Sequence, residues 1–290
     1  MKTIILSTES GSDLLPDKVQ SSGIFVVPMH VMMDGKSRED GSFPVSELGE
    51  YYDRTKTIPT TSAVNPEEYM TFFRKLREEA EEADIVHIAY TSQASCTFQN
   101  AAIAIEELRQ EGEQQIFLVD SKNVSGGISL ILEKALELKA QISDGKELAE
   151  ELERWVSRTA VTFLPDRLEF LKAGGRVSNA AYLGASFLRL KPAILIEDGR
   201  LVASKKHRGS MKHVAISYLE EFIRNNHLDQ EYLYLFYSEG FSQTLLEKLK
   251  SRAAELGFQR IFVTVCGCVI TCHGGFGALG IAGFRRLEEL

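Results

Sequence analysis

Proline and cysteine are both scarce here, 7 and 4 residues in 290. Three of the cysteines crowd into one stretch, Cys266, Cys268 and Cys272, so there is no disulfide framework to read. No apolar run approaches the ~20 residues of a membrane-spanning helix. No secretory h-region follows Met1-Lys2 either, because the short strand expected at Thr3–Ser7 comes directly after it. The expectation is a cytoplasmic protein with at most transient membrane contact. Basic residues are outnumbered, 33 Lys and Arg against 41 Asp and Glu, for a net charge of −8; nucleic acid is not expected as the main partner. G-x-S-x-G and G-x-x-x-x-G-K-[ST] are both missing, which removes the nucleophile elbow of α/β hydrolases and the phosphate cradle of P-loop kinases. Internal repeats and low-complexity segments are missing too.

What is present is ordinary for a globular chain, 44% hydrophobic and 26% charged residues. Strands and helices alternate through the first half. Strands are expected at Ile24–Val27, Ile85–Tyr90 and Ile116–Val119. Helices are expected after a Ser12 or Asp13 cap and at Pro44–Thr55, Pro66–Ala83, Thr97–Arg109, Ile128–Gln141 and Lys146–Arg158. That rhythm argues an α/β fold with a parallel sheet covered on both faces. The second half includes a hairpin, Ala193–Ile196 and Leu201–Ser204 around Asp198-Gly199, which implies a mixed sheet. Apolar helices are expected at Ala180–Leu188 and Ile281–Phe284. The chain is long for one core, so two domains are expected, 1–158 and 159–290.

Near the end, Ile261–Cys272 is apolar and β-branched and reads as a buried strand or strand pair that delivers His273 into a glycine-rich loop. Gly275, Gly277 and Gly280 match G-x-G-x-x-G, but too little chain follows for a dinucleotide-binding unit. The C-x-C-x-x-x-C-H spacing is unlike common zinc sites, and the cysteines read as small buried hydrophobes with no metal bound. Three hydroxyl-rich clusters fall at strand ends or between elements: Thr60-Thr61-Ser62, Thr91-Ser92-Gln93-Ala94-Ser95, and Asp120-Ser121 with Ser125-Gly126-Gly127. In a doubly wound sheet such ends face one crevice. Ser95, just before the helix at Thr97, is placed either to help bind an anion or to cap the helix.

T-E-S-G-S-D-L, P-T-T-S, T-S-Q-A-S-C-T-F-Q-N-A, D-S-K-N-V-S-G-G, L-E-F-L-K-A-G-G-R-V-S, K-P-A-I-L-I-E-D-G-R-L, K-H-R-G-S-M-K and V-I-T-C-H-G-G-F-G-A-L-G follow one another along the chain. In order and spacing this set resembles the DegV family from end to end. The resemblance implies an N-terminal three-layer α/β/α domain and a C-terminal two-layer α/β domain. It also implies a long-chain fatty acid ligand such as palmitate, stearate or oleate, and no cofactor. The chain would be the non-catalytic, FakB-like subunit of a bacterial fatty acid kinase, presenting the lipid to an ATP-dependent FakA-like catalytic subunit and so serving phospholipid metabolism.

Carried over residue by residue, the resemblance makes Thr61, Ser92, Ser95 and His273 the carboxylate-binding residues. Asp120, Ser121, Gly274, Gly275 and Arg208 would support the loops, and Arg176 would be the contact for the kinase. Cys96, Glu9 and Phe276 depart from the family pattern, where Gly, Asp and Pro are usual. The acyl chain would be buried in the second domain, and ~16 carbons at about 0.8 kcal/mol per CH₂ give on the order of 12 kcal/mol before ordering costs. Two other readings stay open, a carrier of a different apolar ligand and a serine hydrolase using Ser92 or Ser95 with His273 and Asp120.

Overall fold

The computed structural model describes residues 3–112, 115–179, 181 and 190–287. In chain order the elements are β1 (Ile4–Glu9), α1 (Pro16–Ser22), β2 (Phe25–Val27), β3 (His30–Met33), β4 (Lys36–Glu39), α2 (Ser46–Thr55), β5 (Thr60–Ser62), α3 (Pro66–Glu79), β6 (Asp84–Ala89), α4 (Thr97–Gln110), β7 (Ile116–Asp120), α5 (Gly126–Leu138) and α6 (Gly145–Arg158). Then follow β8 (Thr159–Leu164), α7 (Leu168–Gly174), β9 (Leu190–Glu197), β10 (Arg200–Arg208), α8 (Met211–Asn225), β11 (Leu228–Tyr237), α9 (Gln243–Glu255), β12 (Arg260–Val265), α10 (Cys268–Gly274) and β13 (Leu279–Arg285).

Strands β2-β1-β6-β7 form a parallel sheet. Because strand side chains alternate between faces, Ile5 and Ile85 enter a core under α3 and α4, while Ile4, Leu6, Val86 and Ile88 enter another under α5 and α6. Both faces are covered, which is why β1 and β6 read as continuous apolar runs. Strands β10-β9-β8-β13-β11-β12 form the second sheet, antiparallel except for the β11–β12 pair. Helices α8 and α9 cover one face and α5 and α6 the other, so these last two helices lie between the sheets. The structure is thus the expected α/β architecture of a parallel and a mixed sheet. The β9–β10 turn takes left-handed backbone at Asp198 and Gly199 (φ 46° and 81°), as a tight two-residue hairpin requires.

Local signals explain several element ends. Asn65 and Glu68 close a capping box ahead of α3, with Pro66 in its first turn. Four expectations differ from what the structure shows. Neither Ser12 nor Asp13 caps α1; Leu15 precedes it, and Pro16 starts the helix by its fixed φ. Asp13 instead takes left-handed backbone (φ 56°) and turns its carboxylate inward. Thr60–Ser62 is a short strand, paired with β3 in an antiparallel sheet of β4-β3-β5.

The run Ile261–Cys272 divides into strand β12 and helix α10, which puts His273 in a helical last turn. Strand propensity is overridden there because the start of α10 is capped from far along the chain. Gly267 N–H donates to Asp13 Oδ1 (2.7 Å) and Cys268 N–H donates to Asp40 Oδ1 (2.9 Å). Ile281–Phe284 belongs to the central strand β13 rather than to a helix, hydrogen-bonded on both sides. The helix expected over 180–188 lies outside the described residues, 181 apart.

Candidate functional site

The carboxyl ends of β1, β6 and β7 open toward α10, as a doubly wound sheet directs them. Tyr90 and Thr91 follow β6, Asp120 ends β7, and the short strand β5 brings Thr61 alongside. Thr61 Oγ1 lies 2.8 Å from His273 Nε2, a contact between residues 212 apart in sequence. Burial, and secondarily the positive charge of Arg176, lower the His273 pKa from 6.5 to about 4, so the ring is neutral near pH 7. Its Nδ1 is buried and has no hydrogen-bond partner among the described residues. A proton there would be an unpaired buried donor, so the favoured tautomer carries it on Nε2 and donates to Thr61. The Thr61 hydroxyl hydrogen is then free to donate onward. Gly174 makes room for the ring: a Cβ on it would stand 2.6 Å from His273 Nδ1.

Two cavities meet here. The polar one, about 290 Å³, is lined by Met29, Thr61, Ser95, Cys96, Arg176 and Val269 among others. The apolar one, about 40 Å³, is lined by Val124, Phe163, Leu201, Phe236, Ile270 and Gly280 among others. Tyr90 and His273 line both and form the wall between them. The apolar cavity lies against the face of the second sheet that α5 covers.

Of the residues expected at the site, Thr61, Ser95, Arg176 and His273 come together around the polar cavity. Arg176 is exposed, and its guanidinium donates to Gly174 O at 2.7 Å. Ser95 shares its hydroxyl with Thr97 (2.7 Å) and accepts from Thr97 N–H. Ser92 lines neither cavity; its Oγ accepts from Gln93 Nε2. Asp120 Oδ1 accepts from Ser92 N–H and Lys122 N–H, which ties the β6 and β7 loops together. Ser121 is fully buried and orders the following turn by accepting from Asn123 N–H. Gly274 and Gly275 line the apolar cavity, and Gly275 takes left-handed backbone (φ 78°). Arg208 stands exposed at the end of β10, apart from both cavities.

A family model described as uncharacterised protein, DegV family, matches residues 3–286. The chain belongs to the DegV family. A DegV domain-containing protein of Caldanaerobacter subterraneus subsp. tengcongensis is 30% identical over 287 residues, covering 97% of this chain and 98% of that one. Among solved structures, a DegV family protein from Thermus thermophilus described by its fatty acid binding superposes with a TM-score of 0.86. It is 26% identical, over 98% of this chain and 100% of that one. A stearic acid-binding protein from Eubacterium ventriosum has the same fold at TM-score 0.84 and 21% identity, with 100% of both chains covered.

The departures of this DegV-family chain now have places. Cys96 lines the polar cavity, whereas Phe276 packs against Phe170, with ring centroids 5.7 Å apart, and lines neither cavity. Glu9 is fully buried beneath the partition. It accepts from Tyr90 N–H (2.8 Å) and from Tyr69 OH, and its Oε1 lies 2.9 Å from His87 Nε2. Ser7 Oγ lies 2.9 Å from His87 Nδ1, so a serine, a histidine and a carboxylate stand in line. All three are sealed at 0% exposure, and through Glu9 the row is tied to the Tyr90 backbone. The three clustered cysteines are buried, which pushes the Cys268 thiol up to about 12 and raises Cys266 and Cys272 as well. Among the described residues no group of His, Cys, Asp and Glu has the arrangement of a metal site.

Sequence reasoning did not single out Tyr90 or Phe236. The available signal for Tyr90 is its place at the end of an apolar strand, directly before Thr91-Ser92. Phe236 carries no local signal, because its role depends on the glycines packed against it.

Proposed function

We propose that this protein binds one long-chain fatty acid, with its carboxylate in the polar cavity between units 1–158 and 159–290 and its acyl chain in the apolar cavity. The observation that carries this is the junction of the two cavities across Tyr90 and His273. A carboxylate beside a neutral imidazole and a free threonine hydroxyl is oriented by hydrogen bonds and not by a fixed ion pair. The solved relative from Thermus thermophilus, described by its fatty acid binding, supports the same reading. Thr61 and Ser95 contact the carboxylate and His273 turns the Thr61 hydroxyl toward it; Ser92, Asp120, Ser121, Gly274 and Gly275 shape the loops around it, and Arg208 lies apart.

In this reading the protein is a non-catalytic carrier in the cytoplasm. A separate ATP-dependent kinase phosphorylates the bound carboxylate, docking at Arg176, which is exposed at the mouth of the polar cavity. Nothing in the chain matches a P-loop, so the phosphoryl donor has to come from the partner.

Native mass spectrometry of the purified protein, followed by lipid extraction, tests the carrier reading. A stoichiometric long-chain fatty acid is expected, and a protein that neither retains nor takes up fatty acid overturns it. His273→Ala and Thr61→Val are expected to lower retention about tenfold or more, the weight of one or two hydrogen bonds to a charged group. Arg176→Ala is expected to retain lipid yet lose kinase-dependent turnover; normal turnover by that variant removes the docking role.

A further inference from the structure

The apolar cavity holds about 40 Å³, whereas a dry cavity that accepts a single benzene ring is on the order of 150 Å³. A long acyl chain therefore enters only by displacing part of the wall. The register of the second sheet shows which part. Phe236 on β11 pairs with Gly280 on β13, and Gly280 pairs with Phe163 on β8. Cross-strand partners share a face, and all three line the cavity. The Phe236 ring fills the slot left by two glycines. A Cβ on Gly280 would stand 1.9 Å from a ring carbon, and one on Gly126 would stand 2.4 Å away.

One row further along the sheet, about 7 Å on, Tyr234, Ala282 and Val161 are aligned in the same way. The row after that brings Phe284, which packs edge-on to Tyr232 and Trp155. The floor along β13 thus runs Gly280, Ala282, Phe284, small residues ending at a large one, and the Phe236 ring covers its first step.

Resting on the fatty acid reading above, we infer that Phe236 is the movable stop of the acyl cavity and sets the length of chain that the protein accepts. Its ring leaves the slot between Gly126 and Gly280 as the chain enters, and its bulk limits how far the chain runs toward Phe284. Phe163 flanks the same row but is not among the nearest atoms to a Gly280 Cβ, so it forms a side wall.

The test offers lipid-stripped full-length protein an equimolar series of saturated fatty acids, from dodecanoic to eicosanoic acid, and quantifies what is retained by mass spectrometry. Phe236→Ala is expected to shift the most retained chain to one longer by about two to four carbons, the room left by a phenyl ring in a packed wall. Phe236→Leu is expected to shift it the same way by less, and it carries the test if the alanine variant fails to fold. An unchanged chain-length distribution in a folded variant overturns the assignment of Phe236 while leaving the carrier reading intact. Wild-type protein that retains none of the series overturns both.

Discussion

The two cavities that meet at Tyr90 and His273 are built on different terms. The polar one collects Thr61, Ser95, Cys96, Arg176 and His273 from four separate elements or turns, and it is open at about 290 Å³. Its chemistry rests on a few polar atoms. The apolar one is mostly sheet surface, closed to about 40 Å³ by aromatic rings lying over glycines. Its character rests on volume. Removing one atom from the first changes what it binds, whereas adding one carbon beneath the Phe236 ring of the second disturbs the fold. Helix α10 joins them: buried carboxylates hold its first turn, and its last turn presents the imidazole.

The largest effect should come from volume. Gly280→Val in central strand β13 forces new carbons into the Phe236 ring and is expected to cost about 3 kcal/mol, read as a lower denaturation midpoint. Gly274 lines the same cavity, but a Cβ there meets no atom of the described residues within 4 Å. Gly274→Ala should leave stability unchanged or raise it by about 0.5 kcal/mol, the entropy gain of replacing a glycine. Equal losses at the two positions would remove the contrast.

Next in size is Asp13→Ala, which strips the acceptor from Gly267 N–H and from the Ser125 hydroxyl. A loss of about 2 kcal/mol is expected, along with weaker ligand retention as α10 loosens.

The pH dependence sharpens the comparison by sign. Burial raises the Asp13 pKa from 3.8 to about 7, so between those values the folded state holds a proton that the unfolded chain releases. That contribution is full below pH 3.8 and is lost as pH rises through about 7. His273 is shifted the other way, from 6.5 to about 4. Its contribution is present above pH 6.5 and is lost as pH falls through about 4. Denaturation titrations should therefore show Asp13→Asn removing a decline toward neutral pH and His273→Gln removing a loss toward acid. Slopes of the same sign in the two variants would contradict the opposed burial of acid and imidazole. The smallest effect is expected from Cys96→Ser, half-open in the polar cavity with one long contact to Asn100. Its stability should change by no more than about 0.5 kcal/mol, while thiol-reactive probes lose their accessible target.

Most of the secondary structure was legible because it is periodic. Continuous apolar runs mark strands buried on both faces, amphipathic repeats mark their covering helices, and Asn65-Pro66 or Asp198-Gly199 punctuates the ends. The family motifs were legible too, since they stand in one order from T-E-S-G-S-D-L to V-I-T-C-H-G-G. Thr61, Ser95 and His273 could be placed at one crevice because strand ends in such a sheet converge. The helical state of Val269–Cys272 could not be read in this way. Its β-branched residues favour a strand, and the caps that overrule them, Asp13 and Asp40, stand more than two hundred residues earlier. Nor could the sequence tell that Arg176 and Cys96 border one cavity, or that Phe236 fills the slot over Gly280. Local pattern determined the elements and their order, because propensity and periodicity act within a few turns of chain. Tertiary structure alone decided which polar atoms meet and how much room lies beside them, because contact and volume arise only when distant segments pack.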